Sequence, residues 1–456
     1  MTHDIRRYGA VGDGRTLDTD SLQAAIRACD EAGGGTLHVP PGRYLTGPLR
    51  LCSNLNLHLA PGAQLLFSDG FTAYPTVETR WAGYVCHALQ PCLFADGAEN
   101  VAVTGQGVLD GQGTKWWKEY RALRTGTLDR PPYPFEQQLS ELNRDVDTTG
   151  AVWDEWETQF LRPALLQFKD CRRILLDGVT LRNSPFWNTH LLFSEDITVH
   201  NARFENPPDA PNGDGLDLDS CARVRVSDCS FDVGDDCLCL KSGIDANGRA
   251  VGRPTEDVVV SNCTMVRGHG GIVMGSDTAG GIRNVVIGNC VFHGTDRGIR
   301  LKSRRGRGGV VEDVVVHDIV MTDVLSPIVM NLYYTCGAKG DLAKRVADPE
   351  PHEVSEETPA IRRISLRGIT ARRAAVSAGC LIGLPESPIT DVALRDVDID
   401  TVGGGKPTKA AMSFHCPPTA GTGLLGIHTR NLALDNVNIT AAIGPELDIR
   451  HTNPDS

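Results

Sequence analysis

Six residues of types that could share proton transfer and anion binding, Asp214, Asp235, Asp236, His269, Arg300 and Lys302, fall at matching points of one repeated stretch. Asn212-Gly213-Asp214-Gly215-Leu216-Asp217-Leu218-Asp219-Ser220 is echoed by Gly234-Asp235-Asp236-Cys237-Leu238-Cys239-Leu240-Lys241-Ser242, then by segments ending at Ser276 and Ser303. With the four serines aligned, Leu216, Leu238, Ile272 and Ile299 form one column, and Leu218, Leu240, Met274 and Leu301 another. The intervening columns carry Asp217, Cys239, Val273, Arg300 and Asp219, Lys241, Gly275, Lys302. Period two means short strands with one apolar face and one face carrying charge. The same alignment sets Asp235 beside Gly213 and His269, and Asp236 beside Asp214 and Gly270. Parallel stacking at roughly 4.8 Å per rung would bring these groups to one surface.

Two carboxyls about 5 Å apart interact by roughly 3 kcal/mol at an effective dielectric near 20, about two pKa units. Three together favour one keeping its proton while another stays charged, the condition for a general acid and a general base side by side. His269 is placed to support or tune the acid at Asp235. Aspartate also serves in turns, so a lone aspartate would carry little weight; the combination carries more.

A second strand type recurs as Val101-Ala102-Val103, Ile174-Leu175-Leu176, Ile197-Thr198-Val199, Val224-Arg225-Val226, Val258-Val259-Val260, Val285-Val286-Ile287, Val314-Val315-Val316, Ile364-Ser365-Leu366, Val392-Ala393-Leu394 and Leu432-Ala433-Leu434. Further apolar pairs follow, such as Cys229 with Phe231, Cys263 with Met265 and Cys290 with Phe292. A period in the twenties with two or three short strands per turn predicts an all-β chain, a parallel β-helix. A β-sandwich would need hairpins, and a propeller a longer period. Residues 1–60 read as an N-terminal cap and first coils, 61–445 as the β-helix, and 446–456 as a tail. In the cap, Asp18-Thr19-Asp20-Ser21 supplies N-cap chemistry, Leu22, Ala25, Ile26 and Cys29 have helical spacing, and Gly33-Gly34-Gly35 ends the run. Such a helix would cover the apolar end of the stack.

Insertions interrupt the rhythm at 112–162, which holds Trp116, Trp117, Trp153 and Trp156, and at 337–358. Excursions of this kind often overhang a binding face, and the tryptophans suit either sugar stacking or anchoring of the loop.

The 456 residues, 41% hydrophobic and 22% charged, describe a water-soluble globular chain. No apolar run approaches the roughly 18 residues of a membrane helix, and Met1-Thr2-His3-Asp4-Ile5-Arg6-Arg7 leads into no secretory core, so no membrane association and a cytoplasmic location are expected. Fourteen cysteines without a CxxC pair read as reduced core residues, and neither metal nor cofactor is expected. The formal charge of −12 disfavours polyanions at long range. Between Asp296 and Arg307 six cations (Arg297, Arg300, Lys302, Arg304, Arg305, Arg307) face one acid. That run reads as a solvated face or an anion-binding one; nucleic acid is not expected, since no aromatics are interleaved.

Asn212 with Asp214, Gly234-Asp235-Asp236, Gly268-His269-Gly270 and Arg300 with Lys302 resemble, in order, the four motifs of the polygalacturonases, glycoside hydrolase family 28. Asp13-Gly14, the triple glycine, Pro40-Pro41-Gly42, Asp110-Gly111-Gln112-Gly113 and Trp116-Trp117 resemble its bacterial branch. The likeness covers roughly residues 5–445. It implies a right-handed parallel β-helix hydrolysing α-1,4 bonds between galacturonates with inversion, without a cofactor. It further implies Asp235 as general acid, Asp214 and Asp236 as activators of water, and His269 as support of the acid. Arg300, Lys302 and Asn212 would bind substrate, with Tyr333 or Tyr334 beside the sugar. Galacturonate oligosaccharide or polysaccharide is the implied partner, and exo action is expected; a related pectic glycan such as rhamnogalacturonan or xylogalacturonan is the alternative, and a pectate lyase or a noncatalytic carbohydrate-binding β-helix the alternatives of another class. Two departures stand out: Gly213, where the family commonly has threonine, and a lengthening from Ile244 to Thr255. A rung spacing near 5 Å is also shorter than the roughly 6.5–9.5 Å usual for inverting carboxylates.

Overall fold

Within each of two units, apolar residues that the repeat places in one column pair in parallel register one coil apart. The computed structural model describes residues 1–146 and 159–450. They divide into two units, 1–146 with 159–235 and 236–450. Trp153 and Trp156 lie outside the described residues.

In the first unit Val101 pairs with Ile174, Ile174 with Ile197, and Ile197 with Val224. A second row runs Leu109, Leu181, Phe204, Phe231. A third runs Leu93, Leu166, Thr189, Leu216. Three short parallel strands per turn make a β-helix, whose interior is filled by the inward column; Phe204 and Phe231, for example, stack at 4.8 Å. The second residue of each first-row strand, Asn100, Arg173, Asp196 and Arg223, lies in the left-handed region, a conformation that asparagine and aspartate tolerate best.

Thr19–Glu31 forms the expected helix and buries Leu22, Ala25, Ile26 and Cys29. Its cap differs from expectation. The Asp18 side chain accepts from Val11 N (2.7 Å) and Gly12 N (3.1 Å) rather than capping the helix, because those incoming amides also need an acceptor. Gly34 has φ +125 and approaches Asn54 so closely that a Cβ would lie 2.6 Å from its carbonyl oxygen.

A feature outside the repeat is the antiparallel hairpin Thr76–Trp81 and Tyr84–Leu89, turned by Ala82 and Gly83 at positive φ. The 112–162 insertion supplies helices Thr114–Arg124 and Pro134–Leu142. Trp116 and Trp117 are buried, Trp117 donating to Ser184 O at 2.9 Å, so both anchor the insertion.

In the second unit the columns again hold: Leu238 with Ile272, Ile272 with Ile299, Ile299 with Ile328. On the other row Val258, Val285, Val314, Ile364, Val392 and Leu432 pair in succession. Cys229 in the first unit and Cys263 and Cys290 in the second share one local geometry, each thiol donating to the carbonyl two residues earlier at 3.2 Å. All fourteen cysteines are free thiols, buried except Cys336 and the partly exposed Cys52. Among the described residues no helix is long and apolar enough to cross a membrane.

Candidate active site

The first unit supplies Asn212, Asp214 and Asp235. Asp214 precedes strand Leu216–Asp219 and is buried, while Asp235 is partly exposed. Their carboxylates offer oxygens within 4.8 Å of one another, a pair that could share a proton or a hard cation.

Two neighbours in the hairpin, Arg80 and Trp81, fix the segment on both sides of Asp214. Upstream, the Trp81 indole donates to Arg162 O (2.8 Å). The Arg162 guanidinium donates to Pro185 O (2.7 Å), Pro211 O (2.8 Å) and Asn212 Oδ1 (2.8 Å). It lies 3.8 Å over the Tyr120 ring, and burial lowers its pKa to about 10. Downstream, Arg80 Nη1 donates to Asp219 Oδ1 (2.5 Å) and Ser220 Oγ (2.9 Å). Burial alone would raise the Asp219 carboxyl, but Arg80 and then His190 outweigh it and hold it at about 2. The network continues inward. Thr79 Oγ1 donates to Gln167 Oε1 (2.7 Å), so the Gln167 amide faces His190 Nδ1 (2.8 Å) and His190 Nε2 donates to Asp219 Oδ2 (3.2 Å).

Asn212 is therefore engaged by Arg162, in the left-handed region at φ 54. At Gly213 a Cβ would stand 3.0 Å from both Cβ and O of Ala210, and Asn206 Nδ2 donates to its carbonyl at 3.1 Å. The turn is tight at glycine and held by Asn206.

The second unit supplies Asp236, His269, Arg300, Lys302, Tyr333 and Tyr334. Asp236, at the start of strand Asp236–Lys241, pairs with Gly270, and Arg300 pairs with Val273 one coil on. Arg300 Nη1 meets Asp236 Oδ1 at 3.0 Å and Lys302 Nζ meets Oδ2 at 2.6 Å, all three buried. Burial pushes the Asp236 carboxyl up, yet Lys302, Arg300 and Lys241 hold it far below the usual range. Burial and Arg300 press the Lys302 ammonium down, and Asp236 more than reverses them. Tyr334 stands 5.4 Å from Lys302 Nζ and 5.9 Å from Arg300 Cζ. Tyr333 packs instead against Arg305 (5.4 Å) and edge-on to His415 (4.5 Å). His269, next to Gly270, is exposed.

The cation run is not solvated: all six side chains are buried. Arg297 donates to Ala410 O (2.9 Å) and Lys409 O (3.0 Å). Arg304 and Arg307 meet Asp245 at 3.3 and 2.7 Å. Arg305 meets both oxygens of Glu386 and the carbonyls of Arg345, Asp348 and Glu350. The Ile244–Thr255 lengthening is thus helix Asp245–Val251, whose first acid neutralises two arginines. The 337–358 insertion, with helix Gly340–Ala347, is anchored through Arg305. Arg300 and Lys302 are the two that converge on Asp236.

The family profile described as glycosyl hydrolases family 28 matches residues 143–423. The chain belongs to that family. This family 28 glycoside hydrolase is 30% identical over 402 residues to a probable polygalacturonase of Vitis vinifera, covering 86% of this chain and 73% of that protein. It is 28% identical over 344 residues to an exo-poly-alpha-D-galacturonosidase of Dickeya chrysanthemi, covering 72% of this chain and 56% of that one. Its fold superposes on a hyperthermoactive exopolygalacturonase of Thermotoga maritima with a TM-score of 0.79 at 32% identity, covering 96% of this chain and 92% of the other.

The hairpin lies outside the repeat, and neither periodicity nor spacing marks Arg80, Arg162 or Asp245. Trp81-Ala82-Gly83-Tyr84 between alternating runs is a hairpin signal; buried arginines carry no comparable mark.

Proposed function

We propose that the enzyme hydrolyses α-1,4-galacturonosidic bonds of polygalacturonate or oligogalacturonides, releasing sugar from a chain end. The observation that carries this reading is the pair of buried cations, Arg300 and Lys302, on one strand face beside Tyr334. Such a pair favours a sugar bearing a carboxylate over a neutral one. The relatives' names support the same substrate, and exo action is supported by the Thermotoga and Dickeya proteins. In this reading Asp235, the partly exposed acid, protonates the leaving oxygen, Asp214 and Asp236 activate water, and His269 supports Asp235. Asp236 serves as a base because its cations keep it ionised. Lys302 and Arg300 also draw in the substrate carboxylate, with Tyr334 along the sugar.

A time course on size-defined galacturonate oligomers tests it: monomer from the first minutes is expected, while midchain fragments would reject exo action. Inactivity there with cleavage of a rhamnose- or xylose-bearing pectic fragment would reassign the substrate. Inversion follows the family likeness. Retention is the second reading, favoured by Asp214 and Asp235 each offering an oxygen within 4.8 Å of the other, since retaining carboxyls stand close, near 5–5.5 Å. Proton NMR of the first-formed anomer separates them: the β anomer means inversion.

A further inference from the structure

Residues 402–421 join strand Ile389–Thr401 to strand Thr422–Ile427, a connection longer than most in compact folds. Their middle is pinned. Arg297 donates to the carbonyls of Lys409 and Ala410. Thr335 N donates to Met412 O (3.0 Å) and Phe414 N to Tyr333 O (3.2 Å). His415 packs edge-on to Tyr333 and reaches Ala347 O at 2.9 Å.

On this immobilised segment Ser413 is fully buried, while Met412 and Phe414 on either side are 41% and 37% exposed. The Tyr334 hydroxyl lies 4.0 Å from Met412 Sδ, and the ring of the same tyrosine faces Lys302 and Arg300. Met412 therefore lies one tyrosine's width from the cation pair. Lys409, exposed, spends one donor on Ser413 O (3.1 Å) and has two more for an anion. The two apolar side chains stand open to water on a backbone held by hydrogen bonds on both sides. The aliphatic face of a sugar ring is what aromatic and thioether groups cover well.

We propose that Met412 and Phe414 form a platform for a uronate ring lying beyond the two that flank the cleaved bond, with Lys409 meeting that ring's carboxylate. The inference rests on the uronate substrate proposed above and adds a determinant of chain length to it.

The test compares kcat/KM of wild type, Phe414→Ala, Met412→Ala, the double variant and Phe414→Trp on di-, tri- and tetragalacturonate, with melting curves confirming the fold. The double variant is expected to lose roughly 5- to 10-fold on the trimer and tetramer and under 2-fold on the dimer. Phe414→Trp should stay near wild type. Equal losses on all three oligomers, or none on any, would overturn the platform. A wild-type enzyme inert on all three would reject the substrate itself and the platform with it, an outcome visible before any variant is compared.

Discussion

Lys302 Nζ stands 2.6 Å from Asp236 Oδ2 inside the second unit, so a cation assigned to substrate also holds a proposed base in its charged form. The Asp236 carboxyl is depressed, so its stabilising effect is present above the unfolded carboxyl's ordinary value near 3.8 and is lost as pH falls through the lower folded value. Lys302 is raised, so its contribution is present below the ordinary 10.5 and disappears as pH rises through the higher folded value. Lys302→Met should therefore do two things: raise KM for oligogalacturonate, and move the acid limb of the kcat/KM profile upward, because burial is then opposed by Arg300 and Lys241 alone. A variant with weakened binding and an unmoved limb would show that Asp236 is not the group titrating there.

Asp235→Asn removes the proton donor while preserving shape. A fall in kcat of about 10²–10⁴-fold with little change in oligomer affinity is expected, measured by initial rates and by calorimetric titration. Small equal changes in both would remove Asp235 from the acid role.

Arg80→Met leaves the buried Asp219 without its guanidinium. The loss should be about 3–5 kcal/mol in denaturant unfolding near neutral pH. Because Asp219 sits at about 2 when folded, the gap between variant and wild type should narrow as pH falls from 4 toward 2, where wild type also gives up the pair. A gap independent of pH would mean that packing on Phe193, 4.4 Å beneath the guanidinium, is what is lost.

Asp245→Ala should unfold at lower denaturant by about 3 kcal/mol, since Arg304 and Arg307 are buried and both answer to that carboxylate. Glu386→Ala, which removes the carboxylate opposite Arg305, is the comparison. A negligible effect at Asp245 would reduce the inserted helix to surface decoration.

What could be read in advance followed from periodicity. The columns through Val258, Val285 and Val314, and through Leu238, Ile272 and Ile299, are paired residue for residue, because a one-residue slip would turn every inward side chain outward. Local chemistry also announced the helix at Thr19–Glu31. Long-range polar pairing did not show: Arg80 finds Asp219 139 residues away, and the cations after Arg297 resemble a solvated run until Asp245 and Glu386 are placed against them. Charge in a sequence gives sign and spacing, whereas partner choice depends on which loops overlie a rung. Asn212 illustrates the same limit, its amide oxygen being occupied by Arg162.

In the second unit every coil enters its valine row through one residue of left-handed backbone: Asp257, Asn284, Asp313, Arg363, Asp391 and Asn431. Alternate pairs of entries are tied to each other by side chains, Asn284 to Asp257 at 3.0 Å, Arg363 to Asp313 at 2.7 Å and Asn431 to Asp391 at 2.9 Å. A spiral punctuated this way grows in whole increments. Duplicating a complete turn would reproduce both the bend and the tie, whereas deleting a single residue within a strand would misalign everything downstream. Evolution of such a scaffold is thereby confined to adding turns at its ends or hanging material on its bends, which is where the inserted segments of this chain are found.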